Sequence, residues 1–335
     1  MKLPPALPKL ESRLEIPGFR LGHGTDAVGM TGVTVILCEE GALAAAEVRG
    51  SATGTRQFDS LVSPLHVSSK AHAVVLAGGS GFGLAAADPV VEALEADDKG
   101  FRTPLGVVPI VPTAILFDLG FGDARARPDA ALVRRAIAAA RRGPVACGSV
   151  GAGTGATVGK ARGLECAMKG GFGFTAMRAA NGVSVAAAVA VNAFGDVRDP
   201  TSGRVIAGCR RSAGSQALVG ADRELAALPA DTPHPWQGNT TLAVVMTDAV
   251  LDKPSALKVC QMAFGGFYRA LSPALSLFDG DLLVTLASGR VEANLHQVGV
   301  LAERAVAEAI VLAVRAADGY GLLPSVSDLA RRSAR

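Results

Sequence analysis

The stretch that decides the fold is Gln237-Gly-Asn-Thr-Thr-Leu-Ala-Val-Val-Met-Thr247. A polar segment that contains prolines ends at Gly238 and Asn239, and an apolar run rich in β-branched residues begins abruptly at Thr240. Such a run is typical of a buried β-strand, because branched side chains pack well on a pleated surface. The sequence therefore predicts that a central strand begins at Thr240.

Two hydroxyl residues, Thr240 and Thr241, stand at the first positions of this strand. One interpretation is a threonine pair at the edge of a strand, where threonine is common. The other interpretation is that the bond between Asn239 and Thr240 is cut. Thr240 would then carry a free α-amine beside its own hydroxyl, which makes a nucleophile with a built-in base. This stretch alone leaves both interpretations open.

The composition indicates a large, closely packed protein. A chain of 335 residues that is 49% hydrophobic and 19% charged can bury one large core or two ordinary ones. With 40 glycines and only 4% aromatic residues, it favours tightly packed α/β layers. The net charge is +3, and no basic stripe with interleaved aromatics is present. We therefore expect no nucleic-acid partner.

The cysteines and the lengths of the apolar runs indicate where in the cell the protein is located. The five cysteines are scattered, with no Cys-x-x-Cys spacing, and are expected to be buried free thiols of a reducing compartment. The first residues show no signal-peptide pattern. The richest apolar runs, such as residues 183–191, are shorter than the roughly 20 residues that a membrane helix needs. The sequence predicts a cytoplasmic protein without membrane contact.

Strand patterns occur throughout the chain. Residues 32–38 and 42–48 are predicted as two neighbouring strands. Residues 172–177 and 183–192 are predicted as a hairpin, because Asn181-Gly182 between them is a strong turn signal.

Helices are predicted at about residues 129–142 and 295–317, while residues 196–238 have little periodicity and predict a long surface loop. Strands and helices thus arrive partly in alternation and partly in hairpins. This order favours a mixed-sheet α/β layered sandwich over a purely parallel doubly wound fold.

Two glycine-rich loops, at residues 79–83 and 151–160, are similar to nucleotide-binding loops at first sight. The second has Thr154 where the phosphate-loop pattern needs glycine, and Ala161 follows Lys160 where a hydroxyl is needed for Mg²⁺. The first lacks the Gly-x-Gly-x-x-Gly spacing. Close backbone packing, or amides directed at an oxyanion, explains these glycines better.

Three charged residues are candidates for chemistry. Lys160 lies among small uncharged residues, so it is either a buried lysine that needs a carboxylate partner or loses its proton, or a solvated loop lysine. Asp279 and Asp281 flank Gly280 just before a predicted strand. At this spacing the carboxylates point to one side and repel unless a cation lies between them or one is protonated. The ordinary alternative is a surface turn.

One amide residue completes the candidates. Asn192 ends an apolar strand, where its amide could support a developing oxyanion or simply terminate the strand. The five histidines lack His-Glu-x-x-His or paired-ligand spacing, and no Gly-x-Ser-x-Gly motif is present. We therefore expect no metal, no cofactor and no Ser-His-Asp hydrolase.

Seven motifs are spread along the chain in order. They are Gly18-Phe19-Arg20-Leu21-Gly22-His23, Ala77-Gly78-Gly79-Ser80-Gly81-Phe82-Gly83-Leu84, Pro109-Ile110-Val111-Pro112, Gly151 to Lys160, Val191-Asn192-Ala193-Phe194-Gly195-Asp196, Gly238-Asn239-Thr240-Thr241-Leu242 and Phe278-Asp279-Gly280-Asp281. Together they resemble the DmpA-type N-terminal-nucleophile peptidase family. That family includes L-aminopeptidase D-amidase/esterases, β-peptidyl aminopeptidases and 6-aminohexanoate-oligomer (nylon oligomer) hydrolases, and the flanking motifs are most similar to the last branch.

The resemblance implies a fold and a set of site residues. Residues 1–335 would form a single domain, a four-layer αββα sandwich with mixed sheets, which cleaves itself into residues 1–239 and 240–335. Cleavage between Asn239 and Thr240 would make Thr240 the nucleophile. The supporting catalytic residues at matching positions are Lys160, Asn192, Asp279 and Asp281.

The resemblance also bears on the pocket and the assembly. Phe117 stands where characterised relatives carry a tyrosine near the pocket, so a phenol donor is missing. Gly79 and Ser80 are further candidates for the pocket. The family implies a homo-oligomer of processed heterodimers, expected here as a tetramer.

The predicted activity is hydrolysis of linear amide bonds through an acyl-enzyme on Thr240. The substrate would be a small amide or short peptide: a 6-aminohexanoate oligomer, a peptide or an amino-acid amide. The alternatives that stay open are an aminopeptidase or β-peptidyl aminopeptidase of the same family, an unprocessed relative that only binds small molecules, and a nucleotide-dependent enzyme.

Overall fold

The strand that begins at Thr240 has buried side chains on both faces, so it lies inside the molecule. The computed structural model describes residues 8–232 and 238–333. Its strands are β1 (Arg13–Leu14), β2 (Arg20–Asp26), β3 (Thr31–Val48), β4 (Gly54–Arg56), β5 (Lys70–Ala77), β6 (Phe101–Thr103), β7 (Gly106–Val108), β8 (Thr113–Ile115), β9 (Gly143–Pro144), β10 (Thr157–Val158), β11 (Met168–Lys169), β12 (Gly171–Arg178), β13 (Ser184–Asn192), β14 (Asp196–Arg198), β15 (Val205–Ala207), β16 (Thr240–Ala249), β17 (Leu271–Ser272) and β18 (Leu282–Val291). Its α-helices are α1 (Asp59–Val62), α2 (Asp88–Ala96), α3 (Ala130–Ala139), α4 (Ala221–Ala226), α5 (Lys253–Ala263), α6 (Gly265–Ala270), α7 (Leu295–Arg315) and α8 (Val326–Ser333).

The main sheet has nine strands in the order β12-β13-β16-β18-β3-β5-β8-β4, with β2 also paired to β3. Strands β16 and β18 run parallel, as do β5 and β8, and the other neighbours run antiparallel. The sheet is therefore mixed, as the order of elements predicts.

Strand β3 belongs to two layers. Its second half, residues 43–48, pairs with β18, and its first half, residues 31–37, pairs with β2 and β5. The register shifts between Leu37 and Ala42, and Gly41 lies between them with φ +80°. The prediction of two neighbouring strands is wrong, because the glycine lets the chain change direction without ending the strand.

Three apolar cores separate four layers. Successive strand residues face opposite sides, so Leu242, Val244 and Met246 contribute to the core between the two halves of the sheet. Ala243 and Val245 pack on the other side in the core that contains residues of α5, α6 and α7. A third core joins β3 and β5 to α2 and α3. The order α-β-β-α confirms the predicted layered fold.

The hairpin and the two helices are confirmed with small changes of boundary. Strands β12 and β13 pair from Gly171↔Val191 to Arg178↔Ser184, on either side of Asn181-Gly182. Helix α3 begins one residue later than predicted, because Asp129 is its N-cap and accepts from Leu132 N at 2.7 Å, and it ends three residues earlier, at Ala139.

The predicted surface loop at residues 196–238 is wrong in part. Its described residues contain β14, β15 and α4. Buried Asp196 organises them, since its carboxylate accepts from the backbone N–H groups of Cys209 and Ala221, each at 2.7 Å. Residues 233–237 of this prediction lie outside the described residues.

Candidate active site

The register of three strands brings the candidate residues to one edge of the sheet. Asn192, the last residue of β13, lies opposite Thr240, the first residue of β16. Strand β18 runs parallel to β16, so both strands start at the same edge, and Asn239 forms a bridge with Asp279 there. Because β13 runs antiparallel to β16 and β18 runs parallel to it, the end of β13 and the starts of β16 and β18 meet at one edge of the sheet. Residues that are far apart in the sequence therefore become neighbours.

The bond between Asn239 and Thr240 is buried in this edge. Asn239 is 1% exposed and Thr240 is 2% exposed. The Thr240 hydroxyl donates to the carbonyl oxygen of Asn239 across a short contact. The same oxygen accepts the N–H of Gly280 at 2.9 Å. The carbonyl at the predicted cleavage position thus meets a hydroxyl and a backbone amide donor.

Lys160 reaches this bond from the glycine-rich loop. The backbone beside it pairs with the chain after β13, since Gly159 N donates to Gly195 O at 3.0 Å and Lys160 N donates to Phe194 O at 2.9 Å. Its Nζ donates to both the backbone and side-chain oxygens of Asn192, each at 3.0 Å, and to Asn239 Oδ1 at 2.8 Å. The lysine is buried, and these three acceptors are amide oxygens, not the carboxylate partner that the sequence suggests.

Burial changes the charge state of this lysine. Desolvation lowers the pKa of Lys160 from 10.5 to about 7, although the negative charges of Asp279 and Asp281 oppose the change. At neutral pH the amine therefore exists in both protonation states, which is the condition for proton transfer.

The side chain of Asn192 makes four hydrogen bonds, and the residue is fully buried. Its Oδ1 accepts from Lys160 Nζ and also from the backbone N and hydroxyl of Thr157, at 3.0 and 3.3 Å. Its Nδ2 donates to the carbonyl oxygen of Phe117 at 2.9 Å. An amide NH₂ group has two donors. One of these donors is used for the carbonyl oxygen of Phe117. The carbonyl oxygen of Asn239 accepts instead from the N–H of Gly280.

Asp279 and Asp281 are both buried beside the start of β16. Asp281 Oδ1 accepts from Thr241 N at 2.6 Å, and Asp279 Oδ1 accepts from Phe194 N at 3.2 Å. Burial and then the charge of Asp279 raise the pKa of Asp281 well above its usual range, and burial also raises the pKa of Asp279. Their contacts with backbone N–H groups hold Thr241 and the segment just after β13 in position.

A cavity of about 260 Å³ opens beside these groups. Its apolar wall comes from Phe117, Phe121 and Leu164, and Lys160 and Asp118 are its charged lining residues. Gly79 and Ser80, the other pocket candidates, are not among the residues that line it. Gly79 contacts a lining residue instead, because its N–H donates to Asp118 Oδ1 at 2.7 Å.

Sequence reasoning missed a second buried lysine behind the cavity wall. Lys169 is fully buried, and its Nζ donates to the carbonyl oxygens of Gly153, Ala156 and Gly170 at 2.8–3.1 Å. The Lys169 Nζ atom also lies 5.5 Å from the centre of the Phe121 ring. Lys169 therefore holds the loop that presents Thr157 to Asn192. The apolar residues around Lys169 in the sequence are the signal that could have identified it.

The Gly280 amide is the other group that sequence reasoning missed. A Cβ at position 280 would lie 2.7 Å from both Thr240 Oγ1 and Ala52 O, so the contact requires glycine. The Asp-Gly-Asp spacing drew attention to the carboxylates, but nothing in the sequence indicates that the amide between them faces Asn239.

In residues 8–232 and 238–333, no group of three or more histidine, cysteine or acidic side chains could hold a metal ion. In the same ranges no helix has the length and apolar character needed to cross a membrane.

Comparison with known families identifies the chain. The family model described as Peptidase family S58 matches residues 14–321. The chain belongs to peptidase family S58. Family S58 membership confirms the resemblance drawn from the seven motifs and makes the chain a hydrolase that acts on amide bonds.

Named relatives in sequence comparisons fall into two groups. The chain is 35% identical to an uncharacterized aminopeptidase of Mycobacterium leprae (strain TN), over 94% of this chain and 93% of the relative. It is 26% identical to a 6-aminohexanoate-oligomer endohydrolase of Kocuria sp. (strain KY2), over 90% of this chain and 86% of the relative.

Solved structures confirm the fold of this S58 peptidase. The L-aminopeptidase D-Ala-esterase/amidase of Ochrobactrum anthropi, described as a variant of the Ntn hydrolase fold, matches with a TM-score of 0.70 and 17% identity, over 96% of this chain and 93% of its own. A Burkholderia sp. β-aminopeptidase matches with a TM-score of 0.67 and 21% identity, over 98% of this chain and 95% of its own.

Proposed function

We propose that this S58 peptidase is a self-processing amidohydrolase whose nucleophile is the N-terminal threonine released at position 240. The observation that carries the proposal is the surroundings of the Asn239–Thr240 bond. The hydroxyl of Thr240 contacts the carbonyl oxygen of Asn239, and the Gly280 amide donates to that oxygen. A hydroxyl beside a carbonyl whose oxygen already has a donor is suited to acyl transfer.

Maturation would proceed in two steps. The Thr240 Oγ attacks the Asn239 carbonyl carbon, its proton passes to the departing nitrogen of Thr240, and an ester replaces the amide. Water then attacks the ester, which leaves a carboxylate on Asn239 and regenerates the hydroxyl of Thr240. Lys160, whose pKa burial lowers to about 7 and whose Nζ contacts Asn239, is a candidate for the proton transfers.

Turnover would use the same groups on an external amide. The free α-amine of Thr240 has a reference pKa of about 7.7–8.0, which suits a general base at neutral pH. A protonated Lys160 nearby would lower that pKa, while Asp279 and Asp281 oppose this and orient the strand edge. Thr240 Oγ forms the acyl-enzyme and releases the first product as an amine, and water releases the second as a carboxylate. Asn192 Nδ2 and the Gly280 amide are the candidate oxyanion donors.

The cavity supports a short, linear acyl group as substrate. Phe117, Phe121 and Leu164 give it an apolar wall, and its volume of about 260 Å³ limits the acyl group in size. The relatives found by sequence comparison are named aminopeptidases in one group and 6-aminohexanoate-oligomer endohydrolases in the other. The higher identity to relatives called aminopeptidases, 35–36% against 26%, favours short peptides or amino-acid amides ahead of 6-aminohexanoate oligomers.

We infer a homo-oligomer, a tetramer, of processed heterodimers made of residues 1–239 and 240–335. All five cysteines are free thiols, and four of them are buried, which supports a reducing, cytoplasmic location. Size-exclusion chromatography with light scattering tests the tetramer.

Intact mass of the denatured protein tests the nucleophile. Wild type should show two chains that divide before Thr240, Thr240→Ala should remain whole, and Thr240→Ser should still divide because it keeps a hydroxyl. Thr247→Val removes a hydroxyl from the far end of the same strand and should process normally. An active wild type that persists as a single chain would sink the proposal, and an inactive single chain would favour a non-catalytic binding protein.

A hydrolysis panel separates the substrate classes. Purified, processed protein is compared on aminoacyl p-nitroanilides, short peptides and linear 6-aminohexanoate oligomers. Higher kcat/KM on the peptides and anilides supports the aminopeptidase assignment, and higher kcat/KM on the oligomers supports the endohydrolase.

A further inference from the structure

Asn239 is held by three groups that do not depend on its bond to Thr240. Its carbonyl oxygen accepts the Gly280 N–H at 2.9 Å, and its own N–H donates to Phe278 O at 3.3 Å. Its side-chain Oδ1 accepts from Lys160 Nζ at 2.8 Å. The residue is 1% exposed. Backbone and side chain are therefore anchored separately, and cutting the next bond removes none of these contacts.

Gly238, the residue before Asn239, closes the site on the cavity side. Gly238 lines the cavity, and a Cβ added to it would lie 2.2 Å from Phe117 Cγ, so its backbone packs directly on that ring. Thr240 is 2% exposed and is not among the residues that line the cavity. Gly238 and Asn239 thus occupy the space through which an external acyl group would reach the Thr240 hydroxyl.

We propose that the Gly238–Asn239 end stays bound after cleavage, so that the mature site is a receptor for a peptide carboxylate that ends in Gly-Asn. This inference rests on the proposed self-cleavage. Hydrolysis adds OH to the Asn239 carbonyl carbon and H to the Thr240 nitrogen. It therefore creates a carboxylate and an amine at adjacent positions, which pair as carboxylate and ammonium at neutral pH.

The new charges strengthen the existing contacts. One carboxylate oxygen keeps the Gly280 N–H, and Asn239 Oδ1 keeps its contact with Lys160 Nζ. Hydrogen bonds to a carboxylate are stronger than those to a neutral carbonyl. The ion pair between the Asn239 carboxylate and the Thr240 ammonium also keeps the Thr240 amine protonated. The bound chain end therefore blocks substrate from the Thr240 hydroxyl and prevents the amine from acting as the general base. Processed enzyme is then inhibited by its own chain end until the end leaves.

Trimming the chain end tests the inhibition on the wild-type protein. Processed enzyme is treated with a carboxypeptidase, and loss of Asn239 is followed by intact mass alongside kcat/KM. If the end occupies about 90% of sites, its removal raises kcat/KM roughly tenfold, because only the vacant fraction binds substrate. An unchanged kcat/KM after Asn239 is gone would overturn the proposal.

Added peptides test the ligand chemistry on the trimmed enzyme. N-acetyl-Gly-Asn should inhibit competitively, at least about tenfold more strongly than N-acetyl-Gly-Ala, which lacks the side-chain acceptor for Lys160, or than N-acetyl-Gly-Asn amide, which lacks the carboxylate. Equal inhibition by all three peptides, or none, would contradict the proposed receptor.

An Asn239→Ala variant provides an independent measurement. If it processes, its untrimmed form should already show the raised kcat/KM, since it lacks the Lys160 contact. If it does not process, the trimming experiment on wild type decides. A wild type that never divides would overturn both this inference and the proposed function, whereas a divided enzyme without inhibition overturns this inference alone.

Discussion

The amide N–H of Gly280 donates to the carbonyl oxygen of Asn239 at 2.9 Å, across the start of two parallel strands. This contact links the turn between Asp279 and Asp281 to the bond that the proposed maturation cuts. It gives the turn two roles, because its carboxylates hold backbone amides while its own amide faces the carbonyl that would become the oxyanion.

Gly280→Ala should slow self-cleavage by roughly 10²-fold or more, the usual effect of losing an oxyanion donor. The added Cβ would lie 2.7 Å from Thr240 Oγ1 and from Ala52 O, so the turn must move away from Asn239. Intact mass over time measures the rate. Gly214→Ala is the control, because nothing lies within 4 Å of a Cβ there. Equal rates for the two variants would remove the amide from the reaction.

Lys160→Met should slow both self-cleavage and turnover by roughly 10²–10⁴-fold, the range expected for a lost acid–base group. The amine contacts Asn192 and Asn239, so both reactions depend on it in the same way. The rates are compared with those of Lys258→Met, which removes an exposed lysine. Normal processing together with normal kcat in Lys160→Met would exclude the residue from the site.

Leu164→Trp should reduce kcat/KM for longer acyl groups by about tenfold or more while leaving self-cleavage unchanged. Leu164 lines the cavity but does not hold Asn239, so a larger side chain there fills the space for an external acyl group only. Steady-state kinetics on a series of acyl lengths, with processing followed by mass, separates the two effects. A uniform loss across all lengths would mean that the cavity does not bind the acyl group.

Lys169→Met should change how stability depends on pH. Burial lowers the pKa of Lys169 from 10.5 to about 7, so between these values the unfolded chain binds a proton that the folded chain does not. Wild-type stability therefore rises with pH in this window, and the variant lacks that contribution. The difference in unfolding free energy, wild type minus variant, should increase by about 1.4 kcal/mol per pH unit from neutrality to about pH 10.

Urea unfolding at several pH values measures this difference. Lys258→Met is the matched control, because it replaces an exposed lysine by the same residue. A difference that stays constant across the window would show that Lys169 remains charged inside the protein.

The sequence by itself determined the strand that begins at Thr240, the hairpin at Asn181-Gly182, the layered α/β class and the family. These features depend on local patterns, because β-branched runs, turn residues and ordered motifs act over a few neighbouring positions. The same patterns identified Lys160, Asn192, Asp279 and Asp281 as candidates by residue type. They could not show that β3 runs continuously through Gly41, because a change of direction and the end of a strand look alike in sequence.

Only the tertiary structure decided how these residues meet. Asn192 faces Thr240 because β13 and β16 are antiparallel neighbours, and the turn at Gly280 faces Asn239 because β16 and β18 are parallel. The role of the Gly280 amide comes from a backbone group, and that of Lys169 comes from three backbone carbonyl acceptors that only the folded chain brings together. Burial also lowers the pKa of Lys160, since removal from water disfavours the charged amine whatever residues lie beside it in the chain.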